Sequence, residues 1–264
     1  MSRRFETLRF VPALLATNLK AAVMLRGAFV MQVVFMALNN LTFFIFWWVL
    51  MRRVPDLRGW RLADIQLLFG IVAVGVGSAI AVAGGVAHLG RFIDEGQLDT
   101  LLTQPKPVLV QALGMRSNAS GIGDMMSGLV LIALSGHLTW TAALPFTLAI
   151  LSSALVFVAC GVMFFSLAFW LGKIDTFARQ LWELVITFAL YPEPLFGSVM
   201  RLALFTIVPA GFVGHLPARL VQYPSIGVAV QLVAAAALYL VLAAFVFDRG
   251  LRRYSSGARF STFG

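Results

Sequence analysis

The sequence predicts an all-α integral membrane protein: six transmembrane helices, an amino-terminal interfacial helix, a short cytosolic helix between helices 2 and 3, and a re-entrant outer hairpin between helices 5 and 6. Three observations predict it. Of the 264 residues, 60% are hydrophobic and 12% are charged, with a mean hydropathy of +0.91, whereas about a quarter of the residues of soluble domains are charged. Uncharged runs at 27–51, 65–89, 138–172 and 220–247 each reach the roughly 20 apolar residues that cross a bilayer core. Between the second and third spans sits a polar, patterned island at 91–107, RFIDEGQLDTLLTQPKP.

Residues 1–26 are basic and amphipathic and lack a compact apolar stretch followed by small residues, so no cleaved leader is expected. A helix from Phe5 to Leu25 would gather Phe5, Leu8, Val11, Leu15 and Leu19 on one side, the pattern of a helix lying in the membrane surface. The first span follows at 27–51. In the second, Ala73, Gly77, Ala81 and Gly85 recur every fourth residue, so one face is nearly bare backbone and another helix should lie close against it. That neighbour could belong to this chain or to another subunit.

In the island, within the cytosolic stretch 88–107, Gly96 separates two amphipathic pieces. Leu89, Phe92 and Ile93 come before it; Leu98, Leu101 and Leu102 form an apolar stripe after it, with Asp94, Glu95 and Asp99 facing elsewhere. Pro105 and Pro107 stop the second piece. A short cytosolic helix with one apolar stripe suits a groove on a cytosolic partner, or else the lipid surface.

The third span, 117–134, carries Asp124, which with Arg116 and Ser120 would share one helical face. Asp124 is the one intramembrane charge that qualifies in the sequence, and such charges are functional candidates by default. It would line a path or pair with another helix. A fourth span at 138–172 leads through 173–180, KIDTFARQ, to a short fifth span at 181–191. Prolines 192, 194, 209, 217 and 224 forbid one continuous helix across 191–224, and non-helical backbone at membrane depth survives only where protein or water covers it. A re-entrant hairpin at the outer mouth is expected there. The last span, 220–247, ends in a basic tail at 249–264.

With the amino terminus inside, fourteen of the 20 lysines and arginines fall on inner segments and six on outer ones. Both termini are therefore expected in the cytoplasm. Anionic inner-leaflet lipid accounts for the net charge of +9, and no nucleic-acid partner is expected. Cys160 stands alone, and His88, His137 and His215 lack ligand spacing, so no metal or catalytic site is expected. The one Gly-Lys pair, Gly172 with Lys173, is followed by Ile174 and has Leu167 where a phosphate-binding loop needs its first glycine.

The stretch EGQLDTLLTQPKPVL resembles the G-x-L-D-x-L-L-x-x-P-x-P signature of bacterial ABC-2-type ABC transporter permeases, in a subfamily of paired permease components. YPEPLFGSVMRLALFTIVPAGFVGHLP, at 191–217, is similar to that subfamily's Y-P segment with a following arginine and Pro-Ala turn, and GLRRYSSGAR to its basic carboxyl end. The resemblance implies a permease subunit of an ATP-driven exporter in the bacterial inner membrane, working with a dimer of ABC ATPase subunits and a second, non-identical permease. ATP and Mg would sit on the ATPase; this chain would bind no cofactor and catalyse nothing.

Carried onto this sequence, the resemblance implies a coupling helix at 93–104, with Ile93, Glu95, Gly96, Leu98, Asp99, Leu101, Leu102 and Pro105 meeting the ATPase. Asp175 and Arg179 would make a second cytosolic contact, and Tyr191, Pro192, Arg201 and Pro209 would form the outer gate. Arg116 and Asp124 remain candidates for the path or for helix pairing. The alternatives are a self-sufficient channel or ion-coupled transporter, which should carry several intramembrane charges, and a membrane-embedded enzyme, which should converge acid, base or nucleophile at one depth.

Overall fold

A computed structural model describes residue 24 and residues 26–255. The interfacial helix expected over 1–26, apart from Met24 and Arg26, and the tail beyond 255 lie outside the described residues. Those residues are helical apart from turns and one isolated bridge between Leu57 and Trp60. Four helical segments are long and apolar enough to cross a membrane: Arg26–Arg53, Leu62–Asp94, Trp140–Leu171 and Ile226–Leu251. A bent pair makes a fifth if it is counted as one span.

In chain order the helices are α1 (Arg26–Arg53), α2 (Leu62–Ala83), α3 (Leu89–Asp94), α4 (Asp99–Leu102), α5 (Val108–Gly114), α6 (Ser120–Leu134), α7 (Ala143–Ser166), α8 (Ala168–Leu171), α9 (Asp175–Ala189), α10 (Ser198–Thr206), α11 (Leu216–Gln222) and α12 (Ile226–Leu251). A 3₁₀ turn, Gly84–His88, joins α2 to α3, and a π-turn, Gly211–His215, leads into α11.

The centre of the bundle is α2, buried almost continuously from Ile65 to Gly77. Its small face meets α6 of the same chain. A methyl at Gly77 would strike the Gly121 carbonyl, and one at Gly121 would strike the Gly77 carbonyl; Gly70 and Gly128 repeat the arrangement, a methyl added to either falling 2.8 Å from the other's carbonyl. Two glycine pairs in register let the backbones touch, which is how helices associate where no water drives them together. On its other side α2 lies against α7, where a methyl at Gly75 would collide with Ser153.

α9 is fixed to α7 by Trp182. Its ring stacks on Phe157 at 4.4 Å between centroids, its indole N–H donates to the Phe157 carbonyl at 2.9 Å, and it covers Gly161. The buried side of α9 is Ala178, Trp182, Val185 and Ala189, a three-to-four spacing that turns Glu183 and Thr187 outward. The sequence places this span at 181–191; the helix begins six residues earlier, so most of KIDTFARQ forms its first turns rather than a loop.

α10 and the segment Gly211–Gln222 are bent by 82° around buried Pro209. Proline supplies no N–H and blocks the preceding turn, and the Ser153 hydroxyl donates to the Val213 carbonyl at 2.7 Å within the π-turn. One end of the bundle gathers the α1–α2 loop, Pro194 and the start of α12: Arg58 donates to the Pro194 carbonyl and Gln222 to Asp64. The opposite end holds 84–107, the 172–174 turn and Tyr254, whose ring meets Phe169 edge-on.

By contrast, α1 is bound along one edge only by the other described residues. Of its 28 residues, Trp47 and Met51 are buried, and Phe35, Phe46, Ile45 and Leu38 are among those left exposed.

Candidate functional site

α1 and α9 stand apart over α2, and the gap between them is a groove. Two adjoining cavities that share Ile80 occupy it. The polar residues of α1 that face it, Gln32, Asn39 and Asn40, fall seven and eight residues apart, which is one helical face. Glu183 and Thr187 of α9, four apart, face them from the other wall.

The cavity nearer the 84–107 end has a volume of about 620 Å³ and is lined by His88, Arg116, Arg179, Asn118 and Gln32 among others. Arg179 is held in place: it pairs with Asp175 at 3.3 Å and donates to the Ala87 carbonyl at 2.7 Å. Arg116 does not share a helix face with Asp124, contrary to the sequence expectation. Residues 116–118 are not helical and α6 begins at Ser120, because Gly84 and Gly85 of the 3₁₀ turn press against the backbone at Arg116 and Ala112.

The second cavity, about 540 Å³, lies at mid-depth and is lined by Asn39, Asn40, Asp124, Glu183 and Thr187 together with Phe43, Phe69 and Tyr191. Asp124 is 3% exposed; Asn40 donates to its Oδ1 at 2.7 Å and also to Ser127 at 2.7 Å, while its Oδ2 has no hydrogen-bond partner. The pairing is thus across helices, from α1 to α6. Glu183 is a groove residue that sequence reasoning missed. Its signal was present, a carboxylate inside the apolar run LWELVITFALY, but the short segment drew attention to its prolines instead.

Tyr191 closes the mid-depth cavity away from the 84–107 end. Its ring meets Trp47 edge-on at 5.7 Å and its carbonyl accepts from His215 Nε2 at 2.8 Å. Pro192 and Pro209 are buried beside it, and Arg201 pairs with Glu193 at 3.2 Å.

At the opposite end, the segment expected as one helix over 93–104 is two short ones, α3 and α4, with Gly96 at φ +74° between them. That left-handed turn suits glycine. The expected docking stripe divides. Leu98 is fully buried, Leu101 and Ile93 are nearly so, and all three belong to the chain's own core, whereas Leu102 is 47% exposed. The reason is the turn at Gly96, which folds α4 back against α5; beside that contact the Gln111 amide donates to the Lys106 carbonyl. Glu95, Leu102 and Pro105 remain on the surface and Asp99 is half-buried. Burial, and then the neighbouring Asp99 carboxylate of α4, push the phenol of Tyr254, three residues past the end of α12, up to about 12. Arg91, Asp94, Glu95, Lys173 and Asp175 surround a surface cleft between this segment and the 172–176 turn.

The architecture is a multi-pass membrane bundle with a polar groove along one face and a surface cleft at one end. No curated protein and no solved structure matches the chain. A family model described as ABC-2 family transporter protein matches residues 34–258, which takes in every helix described here except the first turns of α1, and the chain therefore belongs to the ABC-2 family, the permeases of ABC transporters.

Proposed function

We propose that this chain forms half of the translocation path of an ATP-driven exporter in the bacterial inner membrane, the other half coming from a second, non-identical permease. The observation that carries the reading is the groove: lined by polar side chains from both α1 and α9, open to one side, and flanked by α1, most of whose surface the described residues leave uncovered. A polar groove facing lipid would be costly, and a partner with a matching face would enclose it. In this reading α6 and α9, at 15 residues each, complete six crossings with the four long segments. α5 extends α6, and the bent pair is a re-entrant hairpin at the outer mouth, with Tyr191, Pro192, Arg201 and Pro209 as its gate.

An ABC ATPase dimer, carrying ATP and Mg, would engage the 89–107 segment and the 172–179 turn. The groups available to it are Glu95, Leu102, Pro105 and the cleft that includes Asp175, with Leu98 and Leu101 holding α4 to the bundle from behind. Both termini are then cytoplasmic, next to anionic lipid.

Purification in mild detergent from the native host, with mass spectrometry of co-purifying proteins, tests this. Wild type should bring down an ABC ATPase and a second permease; Glu95→Lys with Leu102→Asp, both surface changes, should lose the ATPase and keep the permease. Wild type purifying without any ATPase would overturn the reading, and transport that continues without ATP would favour the ion-coupled carrier.

A further inference from the structure

We propose that the mid-depth cavity binds an amphiphilic organic cation, with Glu183 and Asp124 meeting the charged group and Phe43, Phe69 and Tyr191 receiving the apolar body. This rests on the reading of the groove as half of a translocation path, and it names the substrate class of that path.

The chain has 20 lysines and arginines against 11 acids, yet the formal charges that line this cavity are both negative. Neither carboxylate forms an ion pair among the described residues. Asp124 is 97% buried, and one of its two oxygens, Oδ2, is without a hydrogen-bond partner. A buried carboxylate with half its acceptor capacity unused is destabilising unless something charged or donating completes it. Its one partner, Asn40, is already shared with Ser127. The groove's arginines, Arg116 and Arg179, line the adjoining cavity instead.

Size and lining fix the class. At about 540 Å³ the cavity falls within the roughly 300–1,000 Å³ of small-molecule sites, far larger than a bare metal ion needs. Three aromatic rings line it, and ring faces attract cations as well as apolar groups. An anion of the same size would meet two carboxylates and no cationic side chain, and would be repelled.

The test uses two probes of equal size and opposite charge, tetraphenylphosphonium and tetraphenylborate, on the full-length chain in zwitterionic-lipid nanodiscs, with empty discs subtracted. The cation should bind saturably and the anion should neither bind nor compete. Glu183→Gln should weaken the cation about tenfold or more, and Asp124→Asn should weaken it similarly. Because Asp124 also joins α1 to α6, the deciding variant is Glu183→Gln, whose carboxylate makes no described hydrogen bond. Equal binding of the two probes, or unchanged cation binding by Glu183→Gln, overturns the proposal. ATPase co-purification is scored on the same preparation: an ATPase present with no cation binding removes the substrate class and leaves the permease reading, whereas cation binding with no ATPase does the reverse.

Discussion

Gly77 and Gly121 face each other where α2 meets α6, and replacing either by alanine is expected to push the two helices apart. A methyl at Gly77 would lie 2.6 Å from the Gly121 carbonyl oxygen, 2.7 Å from Asp124 Cβ and 3.0 Å from the Met125 nitrogen. Optimal separation of such atoms is about 3.5 Å or more, so the backbones must part by about 1 Å, and no flexible side chain end can move instead. Overpacking of this kind costs about 1–3 kcal/mol, offset by the up to about 1 kcal/mol that alanine gains over glycine in a helix, for a net loss of about 1 kcal/mol.

Gly27→Ala is the matched control. No described residue lies within 4 Å of its added methyl, so the same chemical change in α1 should be neutral or stabilise by up to about 1 kcal/mol. Unfolding of the lipid-reconstituted chain by titrated denaturing detergent, followed by tryptophan fluorescence, separates the two. The double variant Gly77→Ala with Gly121→Ala should lose less than the sum of the singles, since helices already parted admit the second methyl. If Gly77→Ala is as stable as Gly27→Ala, close backbone contact does not hold α2 to α6, and this account of the groove floor fails.

Leu98→Ala should destabilise the fold by about 2–5 kcal/mol while Leu102→Ala stays within about 0.5 kcal/mol, since Leu98 is fully buried and Leu102 is 47% exposed; the same detergent titration reads both. Asn40→Ala should cost about 1–3 kcal/mol by leaving the Asp124 carboxylate wholly unpartnered, and Asn40→Asp should cost more through two adjacent carboxylates; Asn40→Ala unfolding like wild type would refute it. Trp182→Phe should lose about 1 kcal/mol with its bond to the Phe157 carbonyl. Arg201→Gln, breaking a half-exposed pair with Glu193, should change stability by less than about 1 kcal/mol, so any larger loss of transport would place that pair in gating rather than in folding.

The spans were legible because bilayer crossing depends on length and hydropathy, both local properties; the runs at 27–51, 65–89, 138–172 and 220–247 coincide with the four long helical segments. The close face of α2 was legible as well, since a four-residue glycine and alanine repeat has one meaning in a helix, but not that α6 is what it meets. At 93–104 the apolar stripe suggested a docking face, and a stripe of leucines looks the same whether it meets a partner or the chain's own core.

What the sequence determined by itself, then, is solvent, the four long apolar spans, and places where helices must stop: proline, glycine and charge act within a turn or two of where they stand. Tertiary structure decided the rest. Arg116 and Asp124 were parted by a non-helical stretch because the 3₁₀ turn at Gly84–His88 presses on the backbone there, a contact between residues about thirty positions apart in sequence. Asn40 reached Asp124 across 84 residues, and Glu183 came to face the same cavity because Trp182 is anchored on Phe157. Which side chains share a cavity depends on how helices rotate about their own axes, and that rotation is set by packing against neighbours that no single segment contains.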